Sequence, residues 1–191
     1  MPVSTYHHGD LRRVLIAAAL DLIAERGPAA VSLRDLARAA GVSHAAPAHH
    51  FKDKAGLFTA IAVQGQRMLA DALAEELENS GDLRLLGVRY VRFAAQHSSH
   101  FEVMYRPDLF HQDDPELVEA RARTSDLLRA AIPGDGRAAD RQVLAAWSIA
   151  HGFATLRRAG NLAHLLPDRD AEAEFAEIAG LLEMRTRNPP A

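Results

Sequence analysis

The sequence predicts an all-α protein of about nine helices: three short helices at the N-terminus, a long joining helix and a C-terminal helical bundle. Two observations carry that expectation. Apolar residues recur every three to four positions almost throughout, and no stretch alternates with period two over the length of a strand. Breakers such as "RPDLFHQDDPE", "IPGDGR" and "LLPDRD" then divide the chain after residue 81 into four or five further helices.

Leu11, Leu15, Ala18 and Leu22 mark the first helix, about residues 9 to 26, and Gly27-Pro28 ends it. Ser32 with Asp35 three positions later has the form of a capping box before "LRDLARAA", which starts the second helix. Gly41 stops that helix after about two turns, and Ser43 is placed to cap a very short third helix from about His44 to His50 or Phe51. In this register Pro47 falls near the fourth position, where its missing N–H costs only the first intrahelical bond. The fourth helix starts near Asp53 or Lys54 and carries Phe58, Ile61, Met68, Leu69, Leu73 and Leu77 until "NSGD" breaks it. The last, about 169 to 186, sets Phe175, Ile178, Ala179 and Leu182 on one face and Glu172, Glu174 and Glu177 elsewhere.

Composition sets the outer limits. With 48% hydrophobic and 25% charged residues, the 191-residue chain has the make-up of a folded protein. It has no cysteine, which excludes disulfides and thiolate metal sites. The first residues, "MPVSTYHHGDLRR", lack the apolar run of a signal peptide, and no stretch is apolar enough to span a bilayer, so a cytoplasmic protein without membrane contact is expected. Residues 1–58 hold seven Lys or Arg against five Asp or Glu, whereas the remainder holds 15 against 20. A basic module on an acidic body points toward a polyanion at one end.

A helix of about eight residues, a turn with a glycine and a second short helix is the helix-turn-helix plan, whose second helix enters a DNA major groove. Ala37, four positions before Gly41, lets the two helices cross closely. Val42 and Phe51 pin the third helix, and Val31, Leu33 and Leu36 complete the small core. The expected division is a helix-turn-helix DNA-binding domain over 1–56 and a second helical domain over 57–191.

The string "GDLRRVLIAAALDLIAERGPAAVSLRDLARAAGVSHAAPAHHFKDKAGLF" resembles the N-terminal DNA-binding domain of the TetR family of bacterial transcriptional regulators. The likeness covers about residues 9 to 60 and includes "ERG", "VSLRDLARAAGVS" and "HFKDKAGL" in register. "WSIAHGFATL", at 147–156, resembles the Trp…His-Gly element in the ligand-binding domain of one branch of that family. The resemblance implies a homodimer on a palindromic double-stranded DNA operator, released when a small-molecule effector, hydrophobic or aromatic, binds the C-terminal domain.

Carried over by position, the third helix lies in the major groove with Ser43, His44, Ala45 and His49 facing bases or nearby phosphates. Ser32 and Arg34 at the start of the second helix, and Lys52 and Lys54 at the start of the fourth, hold the backbone. Helix N-termini offer free N–H groups and a positive dipole end to phosphate, and lysines there position without reading sequence. The chain departs from the family at Ala48 and His49, where an aromatic residue and then a basic or polar one usually precede His-Phe. That departure removes a phosphate contact. It keeps open an alternative, a TetR-like scaffold with weak or lost operator binding that acts through protein contacts or metal sensing.

For metal sensing the candidates are His44, His49 and His50, with His97, His100 and His111 as a looser group. His44 and His49 are five residues apart, whereas i,i+4 spacing is the usual helical ligand geometry, so no metal or cofactor is expected. For the effector the candidates are Phe93, Phe101, Met104, Tyr105, Phe110, Trp147, His151 and Phe153, the large apolar and aromatic side chains after residue 81 together with one polar group. Trp147 and His151 share a helix face one turn apart. Dimerisation is expected through helices at about 139 to 159 and 169 to 186, with Leu156, Ala159, Phe175, Ile178 and Leu182 at the interface. No "GxSxG", "HExxH" or phosphate-cradling loop is present, so an enzyme is not expected.

Overall fold

The computed structural model describes the backbone of residues 8–166 and 170–187 and the side chains of 11–166 and 170–180. Among these residues there are nine α-helices and no strand. In chain order they are α1 (His8–Arg26), α2 (Leu33–Ala39), α3 (Ala46–Phe51), α4 (Lys54–Asn79), α5 (Leu83–Gln96), α6 (Ser98–Met104), α7 (Pro115–Ala130), α8 (Gly136–Arg158) and α9 (Ala171–Arg187). The apolar periodicity therefore forms the predicted all-helical fold, with a 3-10 turn at Pro28–Ala30 between α1 and α2.

The chain forms two compact units. The first holds the described residues up to Gln66 together with Ser99–Glu119, and the second holds Arg67–Ser98 together with the described residues from Ala120 onward. Both units are discontinuous in sequence, because the segment 99–119 joins the N-terminal helices. Val103, Phe110 and Leu117 are buried in one core with Leu15, Ile23, Leu36, Leu57, Phe58 and Ile61. Hydrogen bonds fasten the segment as well. Ser99 Oγ donates to the Leu20 carbonyl at 3.1 Å, and the His111 amide donates to Thr59 Oγ1 at 3.1 Å.

In the second unit α5 packs chiefly on α8 and α9. Leu86, Tyr90, Val91 and Phe93 are buried from α5, and Phe153 and Phe175 meet edge to face with centroids 5.4 Å apart. Gly87 sets the spacing there, since a Cβ on it would lie 2.5 Å from Phe175 Cε1. Arg92 Nε donates to Glu172 at 2.8 Å and ties α5 to α9 at the edge of this core.

Candidate functional site

The helix-turn-helix is built by local chemistry. Ser32 Oγ accepts from the Asp35 amide at 3.1 Å and donates to its carboxylate, which caps α2. Asp35 is held below the usual carboxylate range first by that hydroxyl and then by Arg38, so its capping charge persists well into acid. At the other end the Gly41 amide donates to the Arg38 carbonyl at 3.2 Å and the Val42 amide to the Ala37 carbonyl at 3.0 Å. This is the paired closure that a C-terminal glycine makes, and Gly41 supplies the positive φ of 66°. Ala37 is fully buried where the two helices meet.

The third helix begins later than the sequence predicts. Its N-cap is Ala45 and makes no side-chain cap, while the Ser43 carbonyl accepts from the Ala46 amide at 3.0 Å. Residues 43–45 are thus a turn, and Pro47 sits in the first helical turn, where its fixed φ suits a helix start. Pro47 and Phe51 face the core and are buried. Ser43, His44, Ala45, Ala48 and His49 are all exposed on the other side, a continuous face of small and imidazole side chains.

The joint between α3 and α4 is tight. Lys52 has φ 66 and ψ -58, and the Asp53 amide donates to the Phe51 carbonyl at 2.8 Å, a γ-turn centred on a non-glycine residue. Asp53 then caps α4 by accepting from the Gly56 amide at 2.7 Å. That bond, followed by the charge of His111 at 3.6 Å, lowers the pKa of Asp53. The Arg12 guanidinium lies 5.6 Å from the centre of the Phe51 ring, over its face.

Around this frame Arg34 and Lys52 are exposed beside the residues of the reading face. Two other predicted phosphate holders are engaged within the protein. Ser32 is spent on its cap, and Lys54 is half-buried with Nζ donating to the Ala29 carbonyl at 2.9 Å and lying 5.5 Å over the Phe58 ring.

The eight residues predicted for the effector pocket are divided between the two units. Phe101, Met104, Tyr105 and Phe110 belong to the first unit, where Phe110 is part of the common core and Phe101 packs on Tyr105 at 4.9 Å. Phe93, Trp147, His151 and Phe153 belong to the second unit. There a cavity of about 120 Å³ opens among α5, α7, α8 and α9, and of the predicted eight only Trp147 lines it directly. Phe175, predicted at the dimer interface, is only 3% exposed and forms part of the cavity wall. Burial and periodicity mark these side chains as apolar but do not say which neighbours they meet. Leu83, Leu86 and Tyr90 of α5, also on the wall, carried no sequence signal beyond their helical spacing.

His151 reaches the cavity wall through its partners. Its ring stacks on Trp147 at 5.4 Å, and Nδ1 lies 2.8 Å from the Tyr90 hydroxyl. Burial lowers the His151 pKa below its ordinary 6.5, which favours the neutral ring in the folded state. The linkage sign follows: this contribution is complete above the unfolded pKa and is lost as pH falls through it toward the folded value. The melting temperature is therefore expected to drop between about pH 7.5 and pH 5, and His151→Gln to flatten part of that slope. Equal acid sensitivity in parent and variant would remove His151 as its source.

Of the predicted dimer residues, Leu156 is exposed on α8 and Ala159 at its C-cap, Ile178 is half-buried on α9, and the Leu182 side chain lies outside the described residues. Among the described residues no three His, Asp or Glu side chains gather as metal ligands. His100 instead bonds Gln64 at 3.1 Å, and His97 packs on Phe93. No described helix is long and apolar enough to cross a membrane.

Known proteins match this arrangement. The family model for bacterial regulatory proteins of the tetR family covers residues 15–61, and that for the tetracyclin repressor-like C-terminal domain covers 83–179. A protein with unknown function from Rhodococcus sp. RHA1 is similar at 35% identity over 93% of this chain and 95% of its own, with a TM-score of 0.75. A bacterial regulatory protein in the tetR family from Rhodococcus RHA1 shares the fold at 18% identity, over 90% and 94% of the two chains, with a TM-score of 0.63. AibR, solved with isovaleryl coenzyme A and operator DNA, does so at 16% identity over 91% and 97%, also at 0.63. No curated protein matches the chain. With a capped helix-turn-helix in the first match and just over half of its length in the second, the chain belongs to the TetR family of bacterial regulatory proteins.

Proposed function

We propose that this regulator is a ligand-relieved repressor that binds a palindromic operator as a homodimer and leaves it when a small effector occupies the cavity of the second unit. The observation that carries the DNA side is the exposed face from Ser43 to His49, backed by buried Pro47 and Phe51. Small side chains there let the helix backbone approach base edges closely, and alanine methyl groups suit thymine methyls. His44 and His49 supply the hydrogen-bonding groups of that face, while Arg34 and Lys52 stand ready for phosphate. Lys54 and Ser32 help by holding the frame. AibR, of the same fold, was solved with an acyl thioester and operator DNA, which supports a two-ligand reading of this architecture. An effector shifts the balance if it binds the form that does not fit DNA more tightly than the form that does.

Footprinting on the intergenic DNA beside the protein's own gene, at two salt concentrations, tests the reading. A protected palindrome is expected, with half-sites about one helical turn apart and affinity falling steeply as salt rises. Weak, uniform binding without a protected site would overturn it in favour of a scaffold that works through protein contacts, the outcome that Ala48 keeps in view.

A further inference from the structure

Resting on the assignment of this cavity to the effector, we propose that its occupant is an uncharged molecule with a single aromatic ring, of the size of toluene. Volume argues first. A space of about 120 Å³ is close to that of an engineered apolar cavity that takes up benzene, so it matches a guest of roughly six to eight heavy atoms. The wall argues second. Leu83, Leu86, Trp147, Ala150 and Phe175 line it with aliphatic and aromatic side chains, the lining of a site for an apolar guest.

Charge is decided by what the polar groups already do. Arg84 is at the wall, but its guanidinium is paired with Asp82 at 3.0 Å. The same carboxylate accepts from the Arg84 amide at 2.8 Å and caps α5, so the pair is held in place. An anionic guest at Arg84 would have to compete with Asp82 for the guanidinium. Among the described residues no Asp or Glu lines the cavity to receive a cation, and an unpaired buried charge is costly. Tyr90 faces the same space with its hydroxyl already bonded to His151. Gly87 allows the Phe175 ring to stand against α5, and both residues line the space.

Trp147 is the only tryptophan of the chain, so its emission reports the cavity in the full-length protein. Toluene is expected to change that emission saturably and to raise the melting temperature, with benzoate and benzylammonium each binding at least tenfold more weakly. Ala150→Leu, which fills the space, is expected to abolish the toluene response while circular dichroism shows the helical content retained; Leu83→Phe serves if that variant does not fold. Benzoate or benzylammonium binding as well as toluene would overturn the charge argument and leave the cavity as a ligand site. A toluene response unchanged in a folded filled variant, or none of the three probes acting on the parent, would overturn the cavity assignment itself.

Discussion

Gly56→Ala is expected to lower the melting temperature of the DNA-reading unit by roughly 10 °C or more, through about 2–3 kcal/mol of overpacking in a small unit. A Cβ on Gly56 would lie 2.0 Å from the Phe51 carbonyl oxygen and 3.1 Å from its carbon. A collision with the end of a long side chain is relieved by a rotamer change, but here the obstacle is backbone. That backbone has no slack. The Phe51 carbonyl accepts from the Asp53 amide across the γ-turn, the Gly56 amide donates to Asp53 Oδ1, and the Phe51 ring is only 5% exposed. The added methyl must therefore push α3 away from the first turn of α4, which spoils the cap of one helix or the anchor of the other. Operator footprints should weaken along with the melt. Calorimetry that showed the variant melting within about 2 °C of the parent would mean that the joint is far more pliant than its bonding indicates.

This joint also shows where sequence reasoning stops. The capping box of Ser32 and Asp35 and the closure at Gly41 were legible, because each depends on residue types a few positions apart whose hydrogen bonds are local. Ser43 has the chemistry of a cap, yet the helix starts after it, since proline tolerates a place in the first turn better than deeper in the helix. The positive φ of Lys52 has no signature in the residues around it, since lysine is not a residue type that favours that conformation. Long-range packing was hidden for a different reason. Phe110 is apolar and aromatic whether it lines a pocket or fills a core, and only the folded chain shows that it packs in the core with Leu15, Leu57 and Phe58. The Tyr90–His151 bond likewise joins residues 61 apart, beyond the reach of any periodicity. Elements were thus readable from local chemistry, whereas the membership of the site was set by which helices pack together.

Replacing both Leu144 and Leu156 with aspartate is expected to convert the proposed dimer to monomers and to reduce operator affinity by about a hundredfold or more. On α8 these leucines are 59% and 45% exposed, apolar surface that is available to a second copy. They lie twelve residues apart with Ser148 and Gly152 between them at four-residue steps, so the four positions form one stripe along the helix. A Cβ on Gly152 would meet no atom within 4 Å, which leaves that point of the stripe open to close approach by a second helix. Leucine in such a seam is stabilised by losing contact with water, whereas aspartate would be buried there opposite its own symmetry mate. Each subunit offers a single reading head, and when the tie is cut the second head no longer sits at high effective concentration beside its half-site. The substitutions are on exposed positions, so the monomer should keep its helical content and its melt. Light scattering at micromolar concentration, read beside the footprint, separates the possibilities. A double variant that remains a dimer would move the interface away from this stripe, and one that becomes monomeric yet protects the operator undiminished would remove the need for two heads.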